Sequence, residues 1–176
     1  MGVLIVCESS FGNTRHIAEA IGAGLTKRGH HVALYPVESA PREIPDDVTL
    51  LLVGSPTHNM AMTTAATRAK AVAEGAPASP AIGIHEWIDM VTPRRALLVR
   101  TFDTRTTGAF LPSAARDAAR ALKSNGFHGA KTGESFQVDP RTTGLADGEL
   151  QRAHEWGMAL ADLDPGATVT APPPAV

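Results

Sequence analysis

The chain has 176 residues, enough for one domain with a single sizeable core. Its 43% hydrophobic and 19% charged residues, with a net charge of −2, give no electrostatic basis for nucleic acid or an anionic membrane as partner. No apolar run approaches the roughly 20 residues that span a bilayer, no basic leader precedes the first apolar run, and one cysteine excludes an internal disulfide, so a cytoplasmic protein is expected.

Val3-Leu4-Ile5-Val6-Cys7 reads as a first strand, with Cys7 as a small buried hydrophobe. Ile17, Ile21 and Leu25 then recur every fourth residue along one helical face, and Lys27-Arg28-Gly29 supplies cations and a glycine at its stop. Residues 32–37 read as a second strand, and 40–47 leave room for one helical turn at most. Leu50-Leu51-Leu52-Val53 is a continuous apolar run, which marks a strand buried on both faces. Helices are expected over 65–74 and 85–90, a fourth strand over 96–101, a helix over 111–125, a fifth strand over 135–138 and a last helix over 148–163. Trp87 and Trp156 fall on apolar helical faces and are assigned to the core. Residues 1–163 form one domain; the tail 164–176, with Pro172-Pro173-Pro174, is expected to be disordered. Alternating strands and helices imply an α/β fold with a parallel sheet and helices on both faces.

In such sheets a ligand sits beyond the carboxyl ends of the strands. Three segments with chemistry fall there. Ser9-Ser10-Phe11-Gly12-Asn13-Thr14 joins the first strand to the first helix. Hydroxyls and a glycine ahead of a helix N-terminus, with its unpaired N–H groups and positive dipole end, suit a phosphate. The turn has no lysine and no Gly-x-x-x-x-Gly-Lys-[Ser/Thr], so it is not a nucleoside-triphosphate loop; Gly-x-Gly-x-x-Gly is missing too. Gly54-Ser55-Pro56-Thr57-His58-Asn59-Met60 follows the third strand, and Thr101-Phe102-Asp103-Thr104-Arg105-Thr106-Thr107-Gly108 follows the fourth. One phosphate cradle and two polar loops suggest a mononucleotide cofactor. FMN fits better than a nucleotide substrate, because no carboxylate pair for Mg²⁺ and no base for phosphoryl transfer are evident. No metal-ligand spacing occurs among the seven histidines.

The stretch from Ile5 to Ile21 resembles the flavodoxin signature, with Ser9, Gly12, Thr14, Ala18 and Ile21 on its fixed positions and Cys7 where an aromatic is usual. Gly54-Ser55-Pro56-Thr57 is similar to the second flavin loop of that superfamily, and the spacing of elements matches over about residues 1–163. The resemblance implies a flavodoxin-like three-layer sandwich with strand order 2-1-3-4-5, an order the general rule for this fold already gives. It also implies that Ser9, Ser10, Phe11, Gly12, Asn13 and Thr14 hold the FMN phosphate. Pro56, Thr57, His58, Asn59 and Met60, with Phe102, Asp103, Thr104, Arg105 and Gly108, would flank the ring. His58 would stack on or hydrogen-bond the ring, and Arg105 would place positive charge beside its N1–C2=O edge.

The departures are equally specific. Carriers of this kind usually stack Trp or Tyr on the ring and bear an acidic surface, whereas this chain is 5% aromatic and nearly neutral. The sequence therefore points to a divergent flavodoxin-like redox protein that exchanges electrons with a protein partner. An NAD(P)H-dependent quinone reductase and a flavin-free interaction module of the same fold remain as alternatives.

Overall fold

The computed structural model describes residues 2–77, 80–106 and 113–163. Five strands form one parallel sheet: β1 (Gly2–Cys7), β2 (His31–Pro36), β3 (Val48–Pro56), β4 (Leu98–Arg105) and β5 (Ala130–Gln137), in the spatial order β2-β1-β3-β4-β5. The register places Val6 opposite Val53, and Val53 opposite Thr101. The helices are α1 (Asn13–Lys27), α2 (Ala65–Ala73), α3 (Ile84–Met90), α4 (Ala114–Ser124) and α5 (Glu149–Leu160). A single turn of 3₁₀-helix, Val37–Ser39, follows β2, so the expected short connection lies slightly earlier than 40–47.

The sheet divides its apolar residues by alternation, as period-two geometry requires. Val3, Ile5, Leu50 and Leu52 point to one face and pack with Ile17, Ile21 and Leu25 of α1 and Ala153 and Leu160 of α5. Leu4, Val6, Leu51 and Val53 point to the other and meet Ile84, Trp87 and Ile88 of α3 and Ala118 and Leu122 of α4. Both faces are covered, which is why β1 and β3 read as unbroken apolar runs. Cys7 is buried among these residues, and burial pushes its thiol up to about 12, so it is a packing residue. Trp87 is buried as expected, and its indole N–H donates to the Pro41 carbonyl.

On the first face α1 and α5 cross at two glycines. A Cβ on Gly24 would stand 2.2 Å from the His154 carbonyl oxygen, and one on Gly157 the same distance from that of Ile21. Only hydrogen at those positions lets the two backbones approach so closely. Trp156 of α5 packs edge-on to Phe102, ring centroids 6.2 Å apart, and lies 6.1 Å from Phe136.

Three strands run longer than the sequence suggested. β4 extends from Leu98 to Arg105 through residues assigned above to a loop, and β5 begins at Ala130, not 135. Gly54, Ser55 and Pro56 likewise belong to β3. Gly108, the expected helix start at 111 and the tail 164–176 lie outside the described residues. No helix among the described residues is long and apolar enough to cross a membrane.

Candidate functional site

The carboxyl ends of β1, β3, β4 and β5 open into a cleft of about 260 Å³. Its floor on the β1 side is the turn into α1. Gly12 has φ of 89°, a left-handed conformation that most residues adopt only with strain, and it turns the chain into the helix. The Ser9 hydroxyl accepts from the Arg15 N–H at 3.3 Å, and the Gly12 carbonyl accepts from His16. The backbone N–H groups of Asn13 and Thr14 have no acceptor among the described residues. Ser10 is buried and lines the cleft, and its hydroxyl has no partner among them either. A buried hydroxyl left this way costs roughly 1–3 kcal/mol unless something fills it. These are neutral donors at the positive end of a helix of 15 residues, a set suited to a phosphate monoester.

The turn is tied across the cleft. Thr14 Oγ1 and Thr104 Oγ1 share a buried hydrogen bond of 2.8 Å, which joins α1 to the end of β4. The Asn13 side-chain amide donates to the Thr143 carbonyl at 2.8 Å and so fixes the segment between β5 and α5. Asn13 is thus a brace for that segment as well as part of the turn.

Alternation along β4 sorts its polar end by function. Phe102 and Thr104 face the α1 side: Phe102 packs with Phe136 and Trp156, and Thr104 meets Thr14. Thr101 and Asp103 face α4, where Thr101 donates to the Ala115 carbonyl and Asp103 Oδ2 accepts from the Ala115 N–H at 2.9 Å. Thr57 Oγ1 accepts from the Ala114 N–H and donates to the same Asp103 oxygen at 3.1 Å. Asp103 and Thr57 together hold the first turn of α4, where a negative charge is stabilised by the helix dipole. Phe102 and Asp103 are wholly buried, and neither lines the cleft.

After β3 the chain forms a tight hairpin. His58 and Ala61 exchange both backbone hydrogen bonds at 3.0 Å, and the tip residues Asn59 and Met60 have φ of 50° and 64°. Two positive φ angles are what a two-residue turn of this hand requires; Asn tolerates them, and Met does so only with strain. The turn carries the tip away from the cleft. Asn59 instead borders a shallow depression with Phe11, His58, Thr67 and Lys70, and Met60 is half exposed. His58 itself lines the cleft, and burial lowers its pKa from the ordinary 6.5, so it is neutral at pH 7.

A buried charged group fixes this hairpin from behind. Glu8, the residue after β1, accepts from Thr63 and from the Ile84 N–H at 2.9 Å. Thr63 in turn accepts from the Arg68 guanidinium at 3.2 Å, and Arg68 pairs with Glu86 at 2.8 Å. Glu8 and Arg68 are 1% and 2% exposed, so the link from β1 to α2 and α3 is dry. Burial raises the Glu8 pKa; hydrogen bonds from Thr63 and Ile84 and the charge of Arg68 oppose it. Partial burial acts the same way on Glu86, but the hydrogen bonds and charge of Arg68, with the N–H of Gly83, hold it down at about 2. Gly83 must be glycine here, since a Cβ would lie 2.4 Å from Arg68 Nη1 and 2.7 Å from Glu8 Oε2.

Of the residues expected from the sequence, Ser9, Ser10, Phe11, Asn13, Thr14, Pro56, Thr57, His58, Thr104 and Arg105 are brought together around the cleft. Gly12 shapes it without lining it; Asn59, Met60, Phe102 and Asp103 stand outside it; Gly108 lies beyond the described residues. The sequence reading missed Val138, Pro140 and Thr143, which close the β5 side. Their signal was positional only: they follow β5 at the same sheet edge. No carboxylate lines the cleft, and Arg105 is the one charged residue in its lining among the described residues.

No family model and no curated protein matches the sequence. The fold, in contrast, is shared with many solved structures. A flavodoxin from the domain Archaea superposes over 93% of this chain and 98% of its own, with TM-score 0.61 and 18% identity. A Streptococcus pneumoniae flavodoxin covers 93% of this chain and 100% of its own, with TM-score 0.64 and 16% identity. The flavodiiron protein from Giardia intestinalis matches 92% of this chain over 35% of its own length, with TM-score 0.60 and 17% identity. Identities this low speak for the fold alone, and that fold is the flavodoxin-like one.

Proposed function

We propose that this flavodoxin-like chain binds FMN in the cleft and exchanges electrons with a protein partner in the cytoplasm. The observation that carries the reading is the donor set of the β1–α1 turn. The Ser10 hydroxyl and the Asn13 and Thr14 N–H groups lack acceptors among the described residues and converge on one helix N-terminus. Bound FMN would supply a ring that takes up and returns one or two electrons. The protein's part is to hold and shield it. Ser9, Ser10 and Thr14 would bind the phosphate as neutral donors. Pro56, Thr57 and neutral His58 form one wall, and Thr104, Arg105 and Thr106 another. Phe11 and His58, which line the cleft, would take the part that Trp or Tyr takes in a more aromatic chain; Trp87 and Trp156 are engaged in packing.

Fluorescence titration tests this directly. FMN should be quenched on adding purified protein, and riboflavin, which lacks the phosphate, should bind roughly a hundredfold more weakly, as loss of two hydrogen bonds to a charged group would give. Equal affinity for riboflavin and FMN, or no quenching of either, would refute the reading.

A further inference from the structure

His58 belongs to two cavities at once. It lines the cleft with Ser10, Thr57 and Thr104, and it lines the depression of about 190 Å³ on the α2 side with Thr67, Lys70 and Glu74. Phe11 is the other residue common to both linings, so these two rings stand between the cleft and the depression. Burial disfavours a proton on the imidazole; the Glu74 carboxylate and a hydrogen bond to the Thr67 backbone favour one, and burial outweighs them. Those two partners also show that the ring is turned to α2. Among the described residues the other ionisable groups around it are Lys70, which pairs with Glu74 at 3.6 Å, and Arg105 in the cleft lining. Both are cations, so neither favours a positive charge on His58. His58 is only half-buried, which leaves it open to exchange of a proton with water.

We infer that His58 takes up a proton when the ring in the cleft is reduced, so that electron uptake is coupled to a second proton held by the protein. This rests on the FMN reading above. Reduction places two electrons and one proton on the ring and leaves it with one negative charge. That charge, across the wall from Glu74, favours the imidazolium. A second proton then passes from water to His58. The electrons come from a donor protein, or from dithionite in the test, and reoxidation returns both protons to water.

The test measures the two-electron potential of FMN-loaded wild type and His58→Gln by spectroelectrochemistry, from about pH 5.5 to 8.5, around the ordinary histidine range. Each proton taken up with the electrons shifts the reduction equilibrium about tenfold per pH unit, ~30 mV for a two-electron couple. The glutamine variant should follow one such step per pH unit. Wild type should follow two at the lower end and merge with the variant at the upper end, where His58 is neutral in both redox states. Proton NMR of the His58 ring in wild type reads the same event with no substitution to fold: its midpoint should rise by about one pH unit or more on reduction. Equal slopes in the two proteins, or a His58 midpoint that reduction leaves in place, would overturn the inference. In either case FMN still binds and the functional reading stands. A wild type that binds no FMN would overturn both.

Discussion

At the scale of single residues, the site depends on where hydroxyls and N–H groups find acceptors. Thr14 has a double task, since its hydroxyl bonds to Thr104 and lines the cleft beside Ser10. Thr14→Val keeps the shape and removes the oxygen. FMN binding should weaken by about 1.5–3 kcal/mol, the usual worth of a hydrogen bond to a charged group, and riboflavin binding should hold. Isothermal titration with both ligands measures this, and equal losses would show that Thr14 only holds α1 to β4. The signature positions Ser9, Gly12 and Thr14 were legible because the motif is local: a turn of fixed length between one strand and one helix. Asp103 was not. A polar strand end that caps a helix has the same composition as a flexible loop, and only the pairing with β3 and β5 tells them apart.

At the scale of elements, the Glu8, Thr63, Arg68 and Glu86 group binds β1 to α2 and α3 and holds the hairpin bearing His58. Nothing in the sequence marks it. Glu8 falls between a strand and a turn, and Arg68 looks like any helical arginine; the Glu8–Thr63 hydrogen bond that links them joins residues 55 positions apart. The two acids act with opposite signs on stability. Glu86, held at about 2, contributes stability that is complete above the ordinary carboxyl range and is lost as pH falls toward 2. Glu8, raised by burial, contributes stability at low pH that is lost as pH rises through its own value. Glu86→Gln should therefore be less stable than wild type at pH 7, and the two should converge near pH 2. Urea midpoints across that range at constant m-value test the sign. A gap that persists at pH 2 would mean that packing, not the charge on Glu86, is what Arg68 requires.

At the scale of the whole molecule, alternation of apolar runs and helical faces was enough to give the layers, because both faces of the sheet are covered and β1 and β3 show it directly. What the runs could not show was how far strands continue once their residues turn polar, as β4 does through Arg105 and β5 does from Ala130. Val138, Pro140 and Thr143 follow the end of β5 with no motif to mark them, and only the assembled sheet brings them to the cleft. Four strand ends would serve the one ligand. Amide NMR of ¹⁵N-labelled protein during FMN addition tests it most directly. Shift changes should concentrate at residues 9–14, 57–58, 104–106 and 138–143, while the exposed edge of β2 stays still. Changes scattered elsewhere, or none at millimolar FMN, would contradict the assignment of this cleft.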